Sequence, residues 1–270
     1  MNIVTQITTW RQQRQQLHPK TVGFVHTMGA LHAGHLSLCK QSQEQNDCTT
    51  VAIFINPTQF NCASDQANYP RMLQNDLALL REQKIDHLLL FNAESIYADH
   101  YQVRVSETRL SQILEGRCRP GHFTGMLTVV LKYLNLVQPT HAYYGEKDYQ
   151  QLLLIKKMVR ALFLPIKIVA CPTQRAQDGL ALSSRNVRLN DAQRKTAAQL
   201  PKLLRNARDC KQASEALATL GFKIDYVVER WKRRLAAVWL EQIRLIDNIS
   251  QKECTFSEKS ISKNTNNISL

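Results

Sequence analysis

The stretch Phe24-Val25-His26-Thr27-Met28-Gly29-Ala30-Leu31-His32-Ala33-Gly34-His35-Leu36 joins an apolar run to an amphipathic one through a turn holding two glycines and two imidazoles. Val22 to Val25 reads as a strand, and Leu36, Leu38, Cys39 and Ser42 recur near helical spacing, so a strand hands over to a helix here. Gly29 and Gly34 allow a close backbone approach or a positive φ. The free N–H groups at the helix start, near Gly34 and His35, favour an anion. His32 and His35 stand three residues apart, so in a helical curl both rings face one phosphate and can donate hydrogen bonds to it. Taken alone, the same residues also make an ordinary strand-to-helix turn with exposed histidines.

The 270 residues, 44% hydrophobic, suffice for one large domain or two unequal ones. No apolar run approaches the ~18 residues of a membrane span, and Trp10 with its Gln and Arg neighbours replaces a signal-peptide core. A cytoplasmic protein without a membrane partner is expected. Seven scattered cysteines without CxxC argue against a disulfide framework or a thiolate zinc site. The net charge of +13 is spread out, apart from Lys156-Lys157-Arg160 and the stretch Arg230 to Arg234. Anionic small substrates account for it at least as well as nucleic acid, so no nucleic-acid partner is expected.

Outward from the turn, Thr49 to Ile55 is a β-branched run of the kind that forms a parallel strand covered on both faces. It ends in Asn56-Pro57-Thr58-Gln59-Phe60, which sets the amides of Asn56 and Gln59 at a strand's carboxyl end, where open α/β sheets collect ligands. Two amides there suit a substrate with hydroxyl and carboxylate groups, though a polar loop reads the same. After a polar loop at 61–69, Pro70 is placed for the first turn of a helix to about Gln83. Asp76 on that helix is either a candidate for a metal–nucleotide complex or an exposed helical aspartate. Ile85 to Phe91 is the third strand.

Glu115 to Phe123 contains two glycines and a proline, which predicts a loop whose arginines and histidine cover an anion or make a basic surface. A helix follows from Thr124, then a strand from His141 to Tyr144. Gly145 permits a sharp exit, Lys147 supplies positive charge, and Asp148 with Gln151 matches a capping box. A helix to about Phe163 and a strand from Ile166 to Ala170 complete five strand–helix alternations. They predict an α/β fold, a doubly wound parallel sheet of Rossmann-like type. Beyond it, Leu182-Ser183-Ser184-Arg185 offers hydroxyls and a charge to a triphosphate, or else caps the helix starting near Asp191.

Six segments, TMGALHAGHLSL (27–38), IFINPTQF (53–60), YPRMLQNDLALL (69–80), EGRCRPGHFTG (115–125), LVQPTHAYYGEKDYQQLLLIKKMV (136–159) and DGLALSSRN (178–186), together resemble the pantothenate synthetase (pantoate–β-alanine ligase) family of the HxGH nucleotidyltransferase superfamily. The resemblance spans roughly residues 20–200. It implies ATP at Met28, Gly29, Ala30, Leu31, His32, Ala33, Gly34 and His35, with His35 as the acid at the phosphates and His32 beside it. It also implies ATP contacts from Gly145, Glu146, Lys147, Asp148, the backbone at Gln174, and Leu182, Ser183, Ser184 and Arg185, with Lys147 and Arg185 on the phosphates. Pantoate would be held by Gln59 and Gln151, and Gln59 would reach the β-alanine position as well. The implied reaction uses Mg2+ and ATP to make pantoyl adenylate and then pantothenate, in a homodimer.

Two departures stand out. His26 takes the place of a proline usual in the family, and Glu241 that of a glycine before RLIDN. Lys223 to Glu229 and Leu235 to Leu240 read as strands joined only by Arg230 to Arg234, which predicts a shortened, strained or re-registered small domain. The expected division is a Rossmann-like ATP- and pantoate-binding domain at 1–174, a small α+β lid domain at 175–250 and a disordered polar tail at 251–270. A catalytically weakened nucleotide-binding paralogue and an RNA-directed HxGH enzyme are the alternative readings.

Overall fold

The computed structural model describes residues 1–61 and 63–255, which form two compact units divided between Gln174 and Arg175. In the larger unit the chain runs β1 (Asn2–Val4), α1 (Ile7–Gln16), β2 (Val22–Thr27), α2 (Ala33–Gln45), β3 (Cys48–Ile53), α3 (Ala63–Ala67) and α4 (Leu73–Glu82). It continues through β4 (His87–Leu89), α5 (Ala93–Ile96), α6 (Glu115–Cys118), α7 (His122–Val137), β5 (His141–Gly145), α8 (Tyr149–Ala161) and β6 (Lys167–Cys171). The six strands make one parallel sheet in the order β1-β4-β3-β2-β5-β6.

Both faces of that sheet are apolar, as a fully covered parallel sheet requires. Phe24, Ala52 and Leu89 pack on one side with α7 residues such as Met126 and Tyr133, while Val25, Val51 and Leu88 pack on the other with Leu38 and Leu80. Strand β2 pairs with both β3 and β5, so the order reverses beside it and its carboxyl end opens at the switch point of the sheet. The HxGH turn lies at that point because β2 delivers it there.

Strand β1 is an addition to the five expected, and three residues give no periodicity to read. Trp10 on α1 is fully buried and donates its indole N–H to the Leu136 carbonyl at 2.8 Å, while Arg14 caps the end of α7 at Val137 and Gln138. Helix α4 starts at Leu73, so Pro70 precedes its first turn.

The smaller unit carries α9 (Asp191–Ala197), α10 (Gln199–Asn206) and α11 (Cys210–Thr219) against an antiparallel sheet of β7 (Lys223–Arg230), β8 (Arg233–Leu240) and β9 (Ile243–Ser250). Its core joins Leu200, Leu204 and Leu217 to Val238, Leu245 and Ile249. The short β7–β8 link is a two-residue hairpin in which Trp231 and Lys232 both have positive φ, 54° and 59°. That is the backbone of a type I′ turn, whose twist suits the strands. Register across the turn is regular from Arg230↔Arg233, with one irregularity between Ile224 and Tyr226, so the turn does not shift the pairing. At the β8–β9 link Glu241 has φ 51°, in the left-handed region where glycine is favoured.

The basic stretch is not a surface patch throughout. Arg234 is 1% exposed; it binds Glu229 at 2.7 Å and donates to the carbonyls of Leu204, Ala207 and Arg208. Residues 251–255, expected within a disordered tail, take a defined backbone. Gln251–Glu253 form a 3-10 turn, Cys254 is buried, and Thr255 N–H donates to the Arg205 carbonyl; residues 256–270 lie outside the described residues.

Candidate active site

Within the larger unit, β2 ends at Thr27 and the chain turns through Gly29 and Ala30, which have φ of 84° and 51°. The turn is held from α4, where the carboxylate of Asp76 accepts the N–H of Ala30 at 2.9 Å and that of Leu31 at 2.7 Å. A Cβ on Gly29 would lie 3.0 Å from Asp76 Oδ2, so glycine also makes room for this anchor. Asp76 is 1% exposed, which overturns the exposed-helix reading. Both of its oxygens face amide protons. The described residues contain no group of three or more His, Cys, Asp or Glu that could hold a metal ion.

His32 is the N-cap of α2. Its Nδ1 accepts the Gly34 N–H at 3.1 Å, and its own N–H points to Nδ1 of His35 at 3.4 Å, making a capping box built from two imidazoles. In each ring Nδ1 serves as an acceptor, so the neutral proton sits on Nε2. Both Nε2–H groups are therefore left for a ligand. Burial, then the Lys147 charge, lowers the His32 pKa to about 4 against the opposing pull of Asp148. Burial, then His32 and Lys147, lowers that of His35 to about 3. The ring centroids are 4.1 Å apart, and two neutral rings at that distance avoid like-charge repulsion. Gly34 lies inside α2 and Gly29 alone of the two has positive φ.

Lys147 stands at the carboxyl end of β5, next to β2, and its ammonium is 3.7 Å from Asp148. Asp148 makes no side-chain cap on α8, so the capping box with Gln151 is absent. Gly145 has an ordinary φ of −72°, and a Cβ there would meet no atom within 4 Å. The missing side chain leaves open space; no sharp exit requires glycine. Gln150 is buried and ties α8 to Leu110, Ile113 and Glu115. Gln151, one residue on, is part-exposed, and its carboxamide has no hydrogen-bond partner among the described residues.

Asn56 is fully buried: its Oδ1 accepts from Thr58 and Tyr97, and its Nδ2 donates to Gln59 Oε1 at 3.1 Å and the Gly125 carbonyl at 3.2 Å. Both ends of the amide expected to meet substrate are thus engaged within the protein. Gln59 remains part-exposed, with its Nε2 against the Met28 sulfur. The 115–123 segment is a short helix, α6, followed by the start of α7 at His122. His122 is buried, with Nδ1 2.9 Å from the Gln59 carbonyl and Nε2 3.2 Å from Arg119. Arginine can only donate and a carbonyl only accept, so His122 carries its proton on Nδ1. Burial, then Arg119, brings its pKa to about 3. The segment braces the Gln59 turn and is not a free cover. A Cβ on Gly125 would come within 2.3 Å of the Thr58 carbonyl, so glycine lets α7 meet that turn backbone to backbone.

In the smaller unit, Arg175 forks onto Asp247 at 2.7 and 2.9 Å and also donates to the Gly179 carbonyl. This closes a turn across the Arg175↔Ala181 bridge, which leads into Leu182. Ser183 accepts the Arg185 N–H at 3.3 Å and caps a 3-10 turn, Ser184–Arg188; the helix at Asp191 is capped by Asn190. Ser184 is buried and Arg185 part-exposed, while Gln174, the last residue of the larger unit, is exposed.

A doubly wound sheet with paired neutral imidazoles on a helix N-terminus and a lysine beside them defines a nucleotide-phosphate-binding α/β protein of the HxGH class. The family model described as Pantoate-beta-alanine ligase matches residues 2–250. The pantothenate synthetase of Legionella pneumophila (strain Lens) is 47% identical over 249 residues, 92% of this chain and 99% of the relative. That of Bdellovibrio bacteriovorus is 44% identical over 245 residues, 91% and 96% of the two chains. The solved pantoate-β-alanine ligase of Francisella tularensis, complexed with β,γ ATP and β-alanine, has a TM-score of 0.90 at 40% identity, covering 93% of this chain and 98% of its own. Pantothenate synthetase from Thermus thermophilus gives 0.86 at 38% identity, covering 93% and 99%. The chain belongs to the pantoate–β-alanine ligase family, whose members are ATP-dependent ligases.

Proposed function

We propose that this chain condenses pantoate with β-alanine at the expense of ATP, through pantoyl adenylate. The observation that carries the proposal is the His32–His35 capping box, which leaves two Nε2–H donors at a helix N-terminus beside Lys147. In the first step a pantoate carboxylate oxygen bonds to the α-phosphorus and the α–β phosphoanhydride bond breaks, releasing pyrophosphate. Charge grows on the phosphoryl oxygens, and donors already aimed there stabilise it without reorganising. In the second step the β-alanine amine attacks the pantoyl carbonyl, AMP leaves with the bonding pair, and the nitrogen gives up its proton.

The residues proposed for ATP are Met28 to His35, Gly145 to Asp148, the backbone at Gln174 and Leu182 to Arg185. Gln59 and Gln151 are proposed for pantoate, and Gln59 also for β-alanine. The space before Gly145 and the unengaged carboxamide of Gln151 support these places. Magnesium is taken to arrive with the nucleotide as Mg-ATP, because the described residues offer it no cluster. A homodimer working in the cytoplasm is part of the same proposal.

The test is AMP release from Mg-ATP with pantoate and β-alanine supplied singly and together. Continuous release only with both is the expected result. ATP binding without AMP under any combination would favour a nucleotide-binding protein without turnover.

A further inference from the structure

We propose that Tyr97 is a positioning residue of this site, fixing through Asn56 the direction in which Gln59 presents its amide N–H to pantoate; this rests on the ligase reading above. The orientation of Asn56 follows from partners with only one role. The Thr58 N–H can only donate, which identifies the Asn56 oxygen, and the Gly125 carbonyl can only accept, which identifies the nitrogen. That nitrogen also faces Gln59 at 3.1 Å, so Gln59 must answer with its oxygen. The Gln59 Nε2–H group is thereby turned to the opposite side, against the sulfur of Met28. A thioether is a weak acceptor, so a carboxylate or hydroxyl oxygen displaces it readily.

Both backbone contacts of Asn56 are long, 3.3 Å to Thr58 N and 3.2 Å to Gly125 O. The Tyr97 hydroxyl gives the shortest contact at 2.6 Å, and it also touches the Thr58 hydroxyl at 3.1 Å. Tyr97 is 8% exposed and its pKa is pushed up to about 12 by burial, so it keeps the proton it donates. Without that hydroxyl the Asn56 amide can turn over, Gln59 follows, and a carbonyl oxygen replaces the N–H in front of an anionic substrate. Selectivity for the substrate carboxylate or hydroxyl therefore depends on a residue that touches neither.

The test is Tyr97→Phe, which keeps the ring and removes one oxygen. The expected result is a rise in the pantoate KM of about tenfold, the scale of one missing hydrogen bond, with the ATP KM and kcat within about twofold. Asn56→Asp, which can only accept from Gln59, should give the same signature, and adding Tyr97→Phe to it should give little more. An unchanged pantoate KM in Tyr97→Phe, or an equal rise for ATP, would overturn the assignment. Absence of pantoate-dependent AMP release in the wild type would instead overturn the ligase reading. Crystal structures with pantoate then decide the positioning separately: loss of the Gln59–pantoate contact in Tyr97→Phe supports it, and the same contact at wild-type distance overturns it.

Discussion

Asp76 accepts the backbone N–H of Leu31 at 2.7 Å across 45 residues of sequence, and with its other oxygen it holds Ala30. The turn that leads into His32 and His35 is thus fastened from helix α4. Asp76→Asn keeps the shape but sets an NH2 group against one of the two amide protons. An unpaired buried amide costs about 1–3 kcal/mol, so thermal unfolding should show that loss together with a raised ATP KM. Equal stability in wild type and variant would remove the anchor from the explanation.

Removal of a preorganised donor to developing charge typically costs 10²–10³ in rate. His35→Ala should therefore fold, bind ATP and lose roughly that factor in adenylate formation, read as pyrophosphate release. Near-normal turnover would take His35 out of the mechanism.

Four imidazoles have folded pKa values far below 6.5: about 4 for His26 and His32, about 3 for His35 and His122. A depressed folded pKa gives stability that is complete above the unfolded value and lost as pH falls through the window from 6.5 towards 3–4. At pH 5 each would withdraw on the order of 2 kcal/mol. The Tm should fall steeply between pH 7 and pH 5, and a flat profile in a thermal scan would contradict these burials.

Much of the sheet was legible because its strands are apolar runs and its turns carry Gly, Pro and His at strand ends. The HxGH turn could be read locally, since cap, helix start and imidazoles lie within four residues. The bracing around it could not. Tyr97 reaches Asn56 over 41 residues, His122 reaches Gln59 over 63, and Gly125 meets Asn56 over 69. Sequence spacing carries no record of such contacts, so the 115–123 segment read as a loop, either a cover or a basic surface, and its bracing of Gln59 went unread. Gln150 and Gln151 are adjacent amides, and only packing separates the buried tie from the exposed one.

The small unit offers two stability tests. Glu241 sits at φ 51°, where a non-glycine residue costs roughly 1 kcal/mol, and it gives up only an exposed bond to Gln193 on substitution. Glu241→Gly should raise the denaturation midpoint of the full chain by a corresponding amount. A lower midpoint would show that the Gln193 contact outweighs the turn.

Asp247 has a side chain 0% exposed and holds Arg175 in a bidentate pair. Asp247→Ala leaves a largely buried guanidinium uncompensated, a loss of about 3–5 kcal/mol. Proteolysis of the variant should open first within 175–250, and wild-type resistance there would contradict the pairing.

The most direct measurement is exchange of labelled pyrophosphate into ATP, run with and without pantoate and in the absence of β-alanine. The adenylate formation proposed for the His32–His35 turn would be reversible, so exchange that requires pantoate and is lost in His35→Ala is the expected result. Exchange that ignores pantoate, or none from a folded, ATP-binding protein, would contradict adenylation as the chemistry of this site.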